Sequence, residues 1–163
     1  MDFAALYTTT SGRINRKTWW LGSIGMMIIV FIISFVLGII FGMGGLMTSS
    51  FGNGLMSLIL IAIIFVPYRA LTLKRLHDRS RPEVLFWAFI GPSILLATVT
   101  TLGLAGSMGS QEVFGQSVEV FKYNTFGNLI NFVSIGVGLW ALIELGFLKG
   151  DAGDNAHGAD PLA

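Results

Sequence analysis

Ten residues from Leu73 to Pro82, Leu-Lys-Arg-Leu-His-Asp-Arg-Ser-Arg-Pro, hold four of the ten Lys and Arg and one of the two histidines in the chain. Guanidinium and ammonium groups at that density either bind anions or hold carboxylates in ion pairs. Asp78 is such a carboxylate inside the stretch itself. With Arg13 and Arg16 near the start of the chain and Asn155 and Asp160 near its end, Arg75, His77 and Asp78 make up a candidate polar cluster. His77, His157, Asp78, Asp154 and Asp160 are also the groups available to a divalent metal, but their spacing matches no closed site, and no cofactor is expected.

Arg69 and Glu144 are a second candidate pair, because each is a charge drawn into an otherwise apolar run. An isolated charge at the bilayer centre costs on the order of 3 kcal/mol on insertion scales, so these two are expected to pair with each other or to snorkel outward. Pro67, two residues before Arg69, frees the carbonyl of Ile63 and offers a kink. Lys74, six residues and then Arg81-Pro82 copy the spacing with which membrane lipid phosphatases hold a phosphate. Those enzymes also need a Pro-Ser-Gly-His acid and a later nucleophilic histidine. Here Pro92-Ser93 is followed by Ile94-Leu95, and the only later histidine is His157, so the spacing carries no catalysis. Metalloprotease, phosphate-loop and nucleophile-elbow motifs are also missing, and the chain is read as a non-enzyme.

The elements that must position these groups belong in lipid. Residues 18–68 run 51 positions without a charge, and the stretches 84–111 and 123–143 do the same. The chain is 53% hydrophobic and 12% charged, with a mean hydropathy of +0.75. About 20 apolar residues cross a hydrocarbon core as a helix. Four spans are predicted, at about 19–46, 55–73, 84–105 and 127–148, forming one all-α membrane domain over residues 1–163. The polar turn sequence Met47 to Gly54 separates the first two. Arg13, Arg16 and Lys17 resemble the positive start of a signal peptide, but the apolar run that follows is too long for one and lacks a cleavage pattern.

Nine of the ten Lys and Arg fall on one side of this arrangement, with Lys122 alone on the other. Short loops rich in positive charge stay in the cytoplasm, so both termini are expected there. The connection 107–126 is then external, and it is read either as an ordered loop lying on the outer membrane surface or as a short hairpin pairing Glu112 to Phe114 with Val118 to Tyr123 across Gly115-Gln116-Ser117. Within the spans, Ser34, Gly38 and Gly42 have the small-residue spacing of a close helix contact, read as packing within the chain or, alternatively, as a dimer face. Asn131, Ser134, Thr98, Thr100 and Thr101 are read as hydrogen bonds between helices. The tail 150–163 is Gly-rich and acidic, and folding it back onto the basic groups would neutralise both.

Three stretches carry a resemblance: Gly12-Arg13-x-x-Arg16-x-x-Trp19-Trp20, then Arg75-Leu76-His77-Asp78, then Gly150-x-x-Gly153-x-Asn155-x-His157-Gly158-x-Asp160-Pro161. Together and in this order they resemble the signatures of domain of unknown function 805, a family of small bacterial inner-membrane proteins. The resemblance implies a multi-pass protein of the bacterial inner membrane and no established activity. The functional expectation is a non-enzymatic accessory or docking subunit of a membrane assembly, or a lipid-associated scaffold. Its partners are anionic head groups at the cytoplasmic face, a larger membrane complex or a second copy of the chain, and no nucleic acid. The alternative is a small transporter or channel for ions or polar solutes, formed by one chain or by oligomerisation and using Arg69, Glu144 and the polar residues of spans three and four.

Overall fold

The computed structural model describes residues 3–162. Its elements in order are a short helix α1 (Phe3–Thr8), α2 (Arg16–Met43), a 3-10 turn (Leu46–Thr48), α3 (Ser50–His77), α4 (Leu85–Thr101), strands β1 (Gly106–Val113) and β2 (Gln116–Tyr123), and α5 (Thr125–Leu142). A five-residue π-helical turn, Ile143–Phe147, continues α5. The chain folds as two compact units, one of residues 3–30, 62–90 and 136–162 and the other of 31–61 and 91–135.

Helix starts follow from side chains that accept the first unpaired N–H groups. Asn15 Oδ1 accepts from Thr18 N–H (2.9 Å) ahead of α2, and Asn124 Oδ1 accepts from Gly127 N–H (2.8 Å) at the start of α5. Ser49 Oγ does the same for Gly52 N–H (3.0 Å) before α3. Helices stand at all four expected places with shifted edges. Three are long and apolar enough to cross a membrane: Arg16–Met43, Ser50–His77 and Thr125–Phe147. With 17 residues, α4 is shorter than the rest.

Two of the packing expectations fail. A Cβ placed on Gly38 or Gly42 would meet nothing within 4 Å, so these two glycines of α2 pack against no other helix of the described chain. Thr98, Thr101 and Ser134 do not bridge helices either; each donates to the carbonyl four residues back in its own helix, which spares a membrane hydroxyl any need for a distant partner.

The connection between α4 and α5 is a regular hairpin, longer than expected. β1 and β2 pair antiparallel from Gly106↔Tyr123 to Val113↔Gln116, leaving only Phe114 and Gly115 in the turn. Both have positive φ, +51° and +76°, as the two-residue turn that matches strand twist requires. The expected turn at Gly115-Gln116-Ser117 is thereby displaced, because Gln116 and Ser117 are already in the ladder.

In the first unit the core is Leu71, Leu73 and Leu76 of α3, Phe86 and Phe89 of α4, and Leu145. Leu73 and Leu76 lie three residues apart beside Arg75, so the last turns of α3 bury charged and apolar side chains together. That juxtaposition sets up the site.

Candidate functional site

Arg75 is fully buried, at 0% exposure. It sits in the last turn of α3, where position i+3 is Asp78, and its guanidinium ion-pairs with that carboxylate. The other arms of the fork reach the end of the fifth helix: Nε donates to Leu145 O (2.7 Å) and a terminal nitrogen donates to Leu148 O.

These two bonds belong to a longer series. The last backbone bond of the π turn runs from Leu148 N–H to Ile143 O (3.2 Å), which leaves the following carbonyls without a helical donor. Each of the next six is taken by a side chain. Arg79 donates to Glu144 O (2.9 Å), Arg75 to Leu145 O and Trp20 Nε1 to Gly146 O (3.1 Å). Arg16 donates to Phe147 O (2.9 Å), Arg75 to Leu148 O and Arg79 to Lys149 O (3.2 Å). Three cationic forks thus meet the negative end of a helix dipole, each such contact being worth about 0.3–2 kcal/mol depending on burial.

Asp78 carries the series to the N-terminus and the tail. Arg13 Nε donates to Asp78 Oδ1 (3.2 Å), and its terminal nitrogens donate to Gly153 O and Asp151 O (2.7 Å each) and Gly158 O (3.3 Å). Asp151 N–H returns a bond to the Asp78 carbonyl (2.8 Å). Burial pushes the Asp78 carboxyl up from its ordinary value, against the opposing pull of Arg75 and Arg13. The tail is folded by its own Asx contacts: Asp160 accepts from Gly153 N–H and Leu162 N–H (2.9 Å each), and these bonds hold its carboxyl below the ordinary value. Asn155 Nδ2 donates to His77 O (2.9 Å), while the His77 ring lies flat on His157 with centroids 3.9 Å apart. His77 also contacts Gly12 O (3.2 Å) and Glu83 (3.1 Å) through its two ring nitrogens.

The expected cluster of Arg13, Arg16, Arg75, His77, Asp78, Asn155 and Asp160 is therefore brought together, directly or through the tail and helix-end carbonyls. The expected pair of Arg69 and Glu144 is not formed. Glu144 ion-pairs with Arg79 and with Arg81 (Nε to Oε1, 2.9 Å), and Arg69 has no ion pair among the described residues. Arg79 and Arg81 lie in the turn after α3 and both reach Glu144. Lys74 caps α1 by donating to Ala5 O and Leu6 O (3.2 Å), a role invisible before α1 itself was known. No three metal-ligating side chains converge among the described residues.

Gly150 is required where the tail leaves the helix. A Cβ there would run into the Asp78 carboxylate. Gly150→Ala is expected to cost about 1–3 kcal/mol through overpacking, seen as a lower melting temperature in detergent. An unchanged melting temperature would mean that the tail does not hold this close approach.

The family described as "Protein of unknown function (DUF805)" matches residues 7–159, nearly the whole chain. The chain belongs to the DUF805 family. Two relatives from Escherichia coli strain K12 are similar to it. Inner membrane protein YhaH is 30% identical over 106 residues, 61% of this chain and 82% of YhaH. Inner membrane protein YhaI is 31% identical over 117 residues, 68% of this chain and 92% of YhaI. No solved structure matches the chain. DUF805 membership and the apolar helices together make this a membrane protein with transmembrane helices. The matched region contains the cluster residues from Arg13 to Asn155 and stops one residue short of Asp160.

Proposed function

We propose that this chain is a non-enzymatic accessory protein of the inner membrane that crosses it four times, with both termini in the cytoplasm. Its polar cluster is a latch that ties the N-terminus, the loop after α3 and the tail to the end of the fifth helix. The observation that carries the reading is the run of six consecutive carbonyls, Glu144 to Lys149, each met by a side-chain donor. Arg16, Arg75 and Arg79 are spent on that structural task. Lys74 and Arg81, which mimic a phosphate-binding spacing, point to different partners, α1 carbonyls and Glu144. Placement of nine of the ten Lys and Arg on one side supports the orientation.

Docking falls to the positive charges left at the surface. Lys17 and Lys149 are exposed, and the Arg81 side chain is 50% exposed. Near a bilayer surface each is worth about 1 kcal/mol of attraction to anionic head groups. The open small-residue stripe of α2 supports a helix of a larger assembly as the protein partner.

Gentle detergent extraction followed by native mass spectrometry tests this reading. Anionic lipid should be retained over zwitterionic lipid, and changing Lys17 and Lys149 together to Gln should cut retention roughly 30-fold, the effect of about 2 kcal/mol. A reporter fused at the C-terminus should report cytoplasmic. Equal retention by the double variant, or a periplasmic reporter, would remove the docking or the orientation half of the proposal respectively.

A further inference from the structure

The second unit contains a cavity of about 400 Å³ that shares no residue with the latch. Each of three helices turns a pair of polar side chains to it at helical spacing: Asn53 and Ser57 from α3, Ser93 and Thr100 from α4, Asn131 and Ser134 from α5. Its lining holds no carboxylate, ammonium, guanidinium or imidazole. A volume near the lower end of the roughly 300–1,000 Å³ usual for ligand sites suits a small molecule.

The hydrogen-bonding inventory is unfinished. Thr100 is 5% exposed, and its Oγ1 is buried with no partner. The side chain of Asn131, in a membrane-spanning helix, makes no hydrogen bond within the described chain, and neither does that of Ser93. Ser57 and Ser134 have given their protons to Asn53 O (3.0 Å) and Ile130 O (2.8 Å), so their oxygens remain acceptors. The Asn53 amide nitrogen is spent on Met47 O (2.7 Å) and Ser49 O (2.9 Å), again leaving an acceptor. A cavity whose wall lacks partners in apolar surroundings loses free energy unless something supplies them.

We propose that this cavity binds a small uncharged polyhydroxy compound, in the range from glycerol to a monosaccharide. Hydroxyl groups both donate and accept, which matches a wall offering acceptors at Asn53, Ser57 and Ser134 and both functions at Ser93, Thr100 and Asn131. A charged ligand would enter with no counter-charge to meet it. Phe121 and Tyr123 of β2, edge-to-face at 5.1 Å, form an apolar wall for the C–H face of such a molecule. The site is independent of the latch, so the failure of either reading leaves the other standing.

Saturation-transfer NMR on the full chain in nanodiscs tests the site, with glycerol, myo-inositol and glucose as probes and glucosamine and glucuronate as charged controls. Transfer is expected to at least one uncharged probe and about tenfold less to the charged controls, which lack a counter-ion in the cavity. Asn131→Leu should abolish the transfer. Ser93→Ala, a smaller change on an exposed position, should reduce it about fivefold, the effect of one neutral hydrogen bond. Circular dichroism and melting temperature establish that both variants are folded. The proposal is overturned by no transfer to any uncharged probe, by equal transfer to the charged controls, or by undiminished transfer in both variants. It is also overturned if mass spectrometry finds a lipid held by the unmodified chain and released by Asn131→Leu, since a lipid would then fill the cavity.

Discussion

Arg75→Leu should lower the melting temperature of the detergent-purified protein by roughly 10 °C. Removing one member of a buried ion pair costs about 3–5 kcal/mol, and each kcal/mol moves a chain of this size by about 2–4 °C. The cost has two origins here. Asp78, 2% exposed, keeps only Arg13 as a cationic partner, and the carbonyls of Leu145 and Leu148 lose their donors. Arg75→Lys separates the two contributions, because an ammonium retains the charge but cannot span Asp78 and two carbonyls with one planar fork. Its loss should fall between those of the parent and the leucine variant. A shift under about 2 °C for Arg75→Leu, within the range of an ordinary surface substitution, would mean that the network stores no stability.

Truncation after Lys149 should cost about 3 kcal/mol, the scale of exposing one member of a buried charged network. Arg13 would lose the carbonyls of Asp151, Gly153 and Gly158, and the Asp78 carbonyl would lose the Asp151 N–H. A solvated tail held only by surface ion pairs would cost almost nothing to remove, at about 0–1 kcal/mol. A double-mutant cycle sharpens the comparison. Arg13→Ala should be much less damaging in the truncated protein than in the full chain, because its tail partners are already gone. Additive losses from the two changes would show that Arg13 and the tail act separately.

Much of this was legible in the sequence, for particular physical reasons. Long uncharged runs admit few structures besides helices in lipid, so α2, α3, α4 and α5 could be placed within a few residues. Arg13, Arg75, Asp78 and the tail could be grouped because their stretches all fall on the side that carries nine of the ten Lys and Arg. What could not be read was the choice among cations. The sequence offers Glu144 both Arg69 and the cations of residues 73–82, and hydropathy favours Arg69 because both sit in apolar runs. The turn after α3, with Ser80 at φ +47°, brings Arg79 and Arg81 round to Glu144 instead. The cavity was hidden for a similar reason. Asn53, Ser93 and Asn131 are single polar letters in three distant segments, and only the packing of α3, α4 and α5 makes them neighbours.

The latch also has a timetable. Arg13 is made early, but its Gly153 acceptor lies 140 residues downstream. At roughly 5–20 residues per second, the guanidinium waits on the order of 10 s for the chain that will bind it. Asp78 and Arg75 emerge midway, so they can pair with each other and with Arg13 before the fifth helix or the tail exists. Closure therefore comes last, after every apolar segment has been synthesised. A chain interrupted before residue 150 would carry its helices but not the contacts that finish them.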